Sequence, residues 1–153
     1  MPELPEVETI ARMLREGTPD QPSILNNQIT RMKLLWPRTL AVPGAARAGR
    51  ELNGRLFRSV GRRAKFLVLD LEGITLLIHL RMSGDLAIRA ADRTLEKKDR
   101  LVLWLSGASG ERQLAFNDAR KFGRVWVTAN PGQVLGRIGP EPLDENLSAD
   151  QFH

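Results

Sequence analysis

The chain has 153 residues, of which 42% are hydrophobic and 27% charged, an ordinary globular composition that excludes a disordered profile. It contains no cysteine, which excludes disulfides and thiolate–metal sites, and with only two histidines, His79 and His153, a metal site built within the chain is not expected. A net charge of +5 and a sequence pI of about 10.4 point to a polyanionic partner, nucleic acid before membrane.

The first eight residues, Met1-Pro2-Glu3-Leu4-Pro5-Glu6-Val7-Glu8, place two prolines and three carboxylates in a segment that is usually uninformative. Removal of Met1, which a small second residue permits, makes Pro2 a secondary amine beside a carboxylate. Free α-amino groups titrate near ~7.7–8.0, well below lysine, so part of the population can attack an aldehyde carbon at neutral pH. From Pro5 to Arg15 the apolar positions Val7, Ile10, Ala11 and Leu14 follow helical spacing. Pro5 suits the first turn and Gly17 the end, while Glu6 and Glu8 complement the positive end of the helix dipole. For Glu8 that complementarity is the simplest account.

Thr18 to Asn27 reads as a loop, Gln28 to Trp36 as a strand, Pro37 to Gly44 as a loop and Ala45 to Leu52 as a short helix. Strands follow over Phe57–Arg62, Lys65–Leu71 and Ile74–Leu80, the last two joined across Glu72-Gly73, a hairpin-length turn. Leu86–Arg89, Arg100–Ser106, Arg112–Phe116 and Arg124–Thr128 continue the series. The expected fold is mainly β with α: an antiparallel β-sandwich of about eight strands flanked by an N-terminal helix and a short second helix. Residues 1–135 read as one domain. Pro131 to Leu147 is Gly- and Pro-bearing and turns acidic, so 136–153 reads as a linker and the start of a truncated second domain. Ser148-Ala149-Asp150-Gln151 then resembles a helix start that His153 cuts short, so the chain is expected to be part of a longer protein. The start lacks a signal peptide and no apolar run approaches a membrane span, so a soluble, cytoplasmic protein is expected.

Four further stretches can carry chemistry. In Gly61-Arg62-Arg63-Ala64-Lys65-Phe66, Lys65 alternates with Leu67 and Leu69; it is either a solvated strand-end cation or a phosphate contact or catalytic amine. In His79-Leu80-Arg81-Met82-Ser83-Gly84, Met82 is either core packing or a side chain displayed at a turn, able to wedge into a base stack. His79 reads as a hydrogen-bonded core histidine rather than a proton shuttle. In Asn117-Asp118-Ala119-Arg120-Lys121-Phe122-Gly123 a turn former precedes two cations and an aromatic, which suits a donor beside a stacking wedge as well as a plain hairpin end. Glu96-Lys97-Lys98-Asp99-Arg100 reads as a solvated charged face.

Taken in order with Gly139-Pro140-Glu141-Pro142-Leu143, these motifs resemble the N-terminal domain of bacterial formamidopyrimidine-DNA glycosylases, and the resemblance spans essentially the whole chain. Leu4, where the endonuclease VIII branch commonly has glycine, favours the oxidised-purine branch. The resemblance implies a base-excision repair glycosylase and lyase acting on double-stranded DNA that holds oxidised bases such as 8-oxoguanine, or abasic sites. It implies Pro2 as nucleophile at C1′ of the flipped nucleotide, Glu3 as general acid/base, Glu6 as a supporting carboxylate and Lys65 as a phosphate contact near the lesion. Met82, Arg120 and Phe122 match the residues that fill the gap left by the flipped base, with Arg120 facing the orphaned cytosine. Arg62, Arg63, Lys98, Arg100 and Lys121 are expected to contact DNA.

Family members often carry histidines near Glu96 to Arg100, where this chain has Lys98 and Arg100; phosphate binding survives that exchange, proton transfer does not. The family's second domain, with a helix–two-turn–helix segment and a cysteine-ligated zinc finger, is not expected in these residues, so no cofactor is expected here. A bacterial, nucleoid-associated monomer of reduced activity follows from the resemblance. The rival readings are an endonuclease VIII-like enzyme for oxidised pyrimidines and a non-catalytic DNA-binding module.

Overall fold

The computed structural model describes residues 4–42, 44–81 and 83–138. Pro2, Glu3 and Met82 lie outside the described residues, as does everything from 139 onward.

The amphipathic stripe at the start becomes helix α1, Leu4–Glu16, with Val7, Ala11 and Leu14 fully buried. Gly17 ends it in the left-handed region, φ +82°, where a Cβ would run into the backbone of Gln21 to Ser23. Strand β1, Gln28–Leu34, is followed by a 3-10 turn at Pro37–Thr39, a short strand β2, Leu40–Val42, and helix α2, Ala45–Leu52. The β-rich remainder supplies β3 Ser59–Arg63, β4 Phe66–Asp70, β5 Thr75–His79, β6 Gly84–Ala90, β7 Asp99–Gly107, β8 Gly110–Asp118 and β9 Arg124–Thr128. Glu72 and Gly73 both have positive φ, +61° and +89°, the combination a two-residue hairpin needs, and the Leu71 N–H donates to the Ile74 carbonyl across it at 2.8 Å.

Two sheets form, in the order β1-β7-β8-β6 and β2-β9-β5-β4-β3; every pairing is antiparallel except β2 with β9. Their facing sides enclose Ile29, Leu67, Leu69, Leu76, Leu103, Leu105, Leu114 and Phe116, with α1 closing one side against β3 and β4. The sandwich expected from the sequence is therefore present, with nine strands among the described residues rather than about eight. The added strand is β2, inside the expected Pro37–Gly44 loop.

The linker reading of Pro131–Leu147 is corrected at its start: Pro131–Ile138 forms helix α3, and the expected boundary at 135/136 falls within it. Pro131 fits a first helical turn, the Gln133 N–H bonds to the Asn130 carbonyl, and Val134 and Leu135 are buried against Phe66 and Leu77 on the outer face of the second sheet. Among the described residues no helix is long and apolar enough to cross a membrane.

Candidate functional site

The register of the second sheet aligns Arg63 with Phe66, Phe66 with His79, and His79 with Arg124. The β3–β4 turn, the end of β5 and the start of β9 therefore share one edge. In the first sheet Gly84 pairs with Asp118 and Asp99 with Asn117, which brings the starts of β6 and β7 and the end of β8 to the same edge. Helix α1 is oriented by two contacts along β3: Glu8 pairs with Arg62 at 3.0 Å, and Arg15 Nη1 donates to the Val60 carbonyl at 2.9 Å. It runs antiparallel to β3, and its N-terminal end faces this loop-bearing edge.

Glu8 holds that orientation. Its carboxylate also lies 3.6 Å from Arg15 and 3.8 Å from Arg12, while Arg62 donates onward to the Ala64 carbonyl. Helix start and Lys65 turn are thus tied through Arg62, a role beyond the dipole complementarity expected of Glu8. Ala64 has φ +50° and Lys65 is half-buried in the turn. Glu6 is exposed in the first turn of α1, and Arg63 is half-buried at the end of β3.

His79 is 7% exposed, packed edge-on against Phe66 with ring centroids 4.8 Å apart. Its Nδ1 accepts the Arg81 N–H at 3.1 Å, which requires a neutral ring on that side. Burial, the Arg81 charge and the Lys65 charge lower its pKa from 6.5 to about 4, so it is uncharged at neutral pH and acts as a backbone acceptor. Arg81, which it holds, stands at φ +57° directly before Met82.

The β8–β9 loop presents Arg120, exposed, and Phe122, 51% exposed and the one exposed large apolar side chain among the described residues. Lys121, φ +63°, places its ammonium over the Trp36 ring at 4.1 Å. Arg124 Nη1 caps the carbonyls of Lys121, Phe122 and Gly123. The arrangement holds an apolar ring out in water among cations.

Two residues support these loops, Asp118 beyond the turn-forming part expected of it and Phe116 without any signal in the sequence. Asp118 is fully buried; its carboxylate accepts the Ser83 hydroxyl, the Arg120 N–H at 3.2 Å and the Gly123 N–H at 2.6 Å. Its backbone N–H donates to the Lys98 carbonyl at 2.9 Å and its carbonyl accepts Arg100 Nε at 2.8 Å. Phe116 lies beneath both motif glycines, since a Cβ at Gly84 or Gly123 would overlap its ring. Lys98 is exposed, whereas Arg100 has this internal partner, as Arg62 does.

Below the Glu96–Arg100 stretch, Asp99 is 2% exposed and binds Arg89 at 2.8 Å, the Glu96 N–H at 2.7 Å and Asn117 at 3.2 Å. Burial pushes its carboxyl up, but those hydrogen bonds outweigh it and hold the group below its ordinary value. The stretch read as a solvated face is therefore anchored by a buried ion pair. No group of three His, Asp or Glu side chains among the described residues could hold a metal ion. The chain has no cysteine, so a cysteine-ligated zinc does not fit the donors present.

Residues 1–125 match the family model described as the formamidopyrimidine-DNA glycosylase N-terminal domain. A formamidopyrimidine-DNA glycosylase of Desulfitobacterium hafniense is 38% identical over 157 residues, covering 99% of this chain and 54% of that protein. The fold superposes with a TM-score of 0.76 on the Lactococcus lactis Fpg in complex with abasic-site DNA, 31% identical, over 89% of this chain and 47% of that one. A structure of MutM with DNA containing carbocyclic 8-oxo-G gives a TM-score of 0.73 at 32% identity, covering 83% of this chain and 44% of the other. The chain spans about half the length of the relatives it matches.

Proposed function

The chain belongs to the formamidopyrimidine-DNA glycosylase N-terminal domain family, and on that premise we propose that it supplies the catalytic half of an enzyme that removes oxidised purines from DNA and cuts the strand at the resulting abasic site. The observation that carries the reading is the common edge. The start of α1, the Lys65 turn and the Arg120–Phe122 loop open on the same side of the sandwich, where a nucleophile, a phosphate contact and a stacking wedge must act on one nucleotide.

In this reading Phe122 enters the stack beside the lesion while Arg120 donates to the orphaned base, and with Met82 they offset the stacking lost on flipping, a cost of a few kcal/mol. The Pro2 amine, freed of Met1, bonds to C1′ as the C1′–base bond breaks and the base leaves with a proton. Opening of the sugar ring leaves a cationic iminium at C1′, which acidifies the 2′ hydrogen. Loss of that proton expels the 3′ phosphate, and a second elimination expels the 5′ phosphate; electron pairs move onto leaving groups and no redox partner is required. Glu3 serves as proton acceptor and donor, and Glu6 supports it. Lys65, Arg63, Lys98 and Lys121 hold phosphates, so binding weakens as salt rises.

The test is cleavage of duplexes with a single 8-oxoguanine or thymine glycol by the full-length polypeptide. Faster cleavage of the 8-oxoguanine strand is expected. Faster thymine glycol cleavage would replace the purine reading by the pyrimidine one, and two intact strands with retained, salt-sensitive binding would leave a DNA-binding module.

A further inference from the structure

Two loops of the site hang from one buried carboxylate. Within its own loop, Asp118 acts as a turn residue, Oδ1 accepting from the N–H two residues on and Oδ2 from Gly123. A turn needs nothing more. Yet Ser83, from the β5–β6 loop, inserts between them: its hydroxyl donates to Asp118 Oδ1, and its oxygen accepts the Arg120 N–H at 3.2 Å. The residue after Met82 is thereby bonded both to the anchor of the Arg120–Phe122 loop and to the backbone of Arg120 itself. The link is reinforced below, where Gly84 and Gly123 rest on the same Phe116 ring. Asp118 has no exposure and its carboxylate is held by neutral donors, so loss of the Ser83 hydroxyl leaves a buried carboxylate oxygen one donor short.

We propose that Ser83 and Asp118 form a positioning pair that makes the Met82 loop and the Arg120–Phe122 loop enter the DNA stack as one unit. Resting on the void-filling reading given above, the proposal adds that the two loops are not independent wedges. Neither residue touches DNA in it. Their effect is confined to duplex substrates, in which a base must be displaced, and spares an abasic site already unstacked in single-stranded DNA.

The experiment compares Ser83→Ala, Ser83→Thr, Phe122→Ala and the Ser83→Ala/Phe122→Ala double variant in the full-length polypeptide. Each is assayed on a duplex lesion and on a single-stranded abasic site, with a 2-aminopurine neighbour reporting insertion. Ser83→Ala is expected to lower the duplex rate about tenfold, the scale of one hydrogen bond to a charged group, with the single-strand rate within about twofold. Ser83→Thr, which keeps the hydroxyl, restores the duplex rate. In the double variant the Phe122→Ala penalty shrinks, because an uncoupled wedge is already lost. Parallel losses on both substrates would reduce the pair to a structural role and overturn the proposal, as would independent, multiplying penalties. If Phe122→Ala itself leaves the duplex-to-single-strand ratio unchanged, the void-filling reading falls and the pair with it; if Phe122→Ala moves that ratio and Ser83→Ala does not, the coupling alone falls.

Discussion

Acidification should destabilise the fold at the end of β5, and the size of the effect follows from one histidine. His79 has a folded pKa of about 4 against 6.5 for a free imidazole. The unfolded chain therefore binds the proton first, so stability due to the neutral ring is complete above pH 6.5 and is lost as pH falls toward 4. Between pH 7 and 4.5 that linkage removes about 2 to 3 kcal/mol, taking ~1.4 kcal/mol per unit of pKa difference. Structurally, a proton on Nδ1 would oppose the Arg81 N–H that it now accepts at 3.1 Å. Urea unfolding of the wild type and of His79→Gln, whose amide oxygen can still accept from Arg81, should show midpoints that converge as pH drops from 7 to 4.5. Stopping at 4.5 keeps the lowered Asp99 carboxyl ionised in both proteins. Parallel declines in the two proteins would refute the reasoning, because the imidazole would then not be the group that titrates.

Three further outcomes follow from the same contacts. Asp99→Ala strands the Arg89 guanidinium, 6% exposed, and should cost about 3 kcal/mol, the low end for a broken buried pair because Glu96 remains 3.0 Å from Arg89, as read by urea midpoints. Gly123→Ala forces a methyl onto Phe116 and against the Asp118 carboxylate, and should destabilise by about 1–3 kcal/mol in thermal unfolding; an unchanged Tm would contradict the close packing. Glu8→Ala breaks a half-exposed ion-pair cluster, so its stability cost should stay under about 1 kcal/mol, while strand cleavage falls further because the helix start is no longer fixed against β3.

The parts of the fold carried by local pattern were legible. Val7, Ile10, Ala11 and Leu14 announce α1 by spacing, Glu72-Gly73 announces its hairpin, and Arg124–Thr128 is a strand with the expected bounds. β2 was hidden because three residues cannot show a period of two, and its partner, β9, lies far along the chain. α3 was hidden by Pro131 and two glycines, although Val134 and Leu135 supply its buried side. At the site, the letters marked the Lys65, Ser83 and Arg120–Phe122 loops as candidates and missed the contacts that hold them. Glu8 finds Arg62 across 54 positions and Asp118 finds Ser83 across 35, pairings that follow from sheet topology and not from any local motif. Asp118 read as a turn former and is one, yet its burial and its second loop partner emerge only in three dimensions.

The central claim is that the free amine of Pro2 forms the covalent bond to the sugar. Incubating the protein, Met1 removed, with abasic-site DNA and borohydride should reduce the iminium to a stable adduct, with peptide mapping locating the DNA on Pro2. The adduct should vanish in Pro2→Gly and when Met1 is retained. Adduct formation that persists with the amine blocked would contradict the account and move the nucleophile elsewhere.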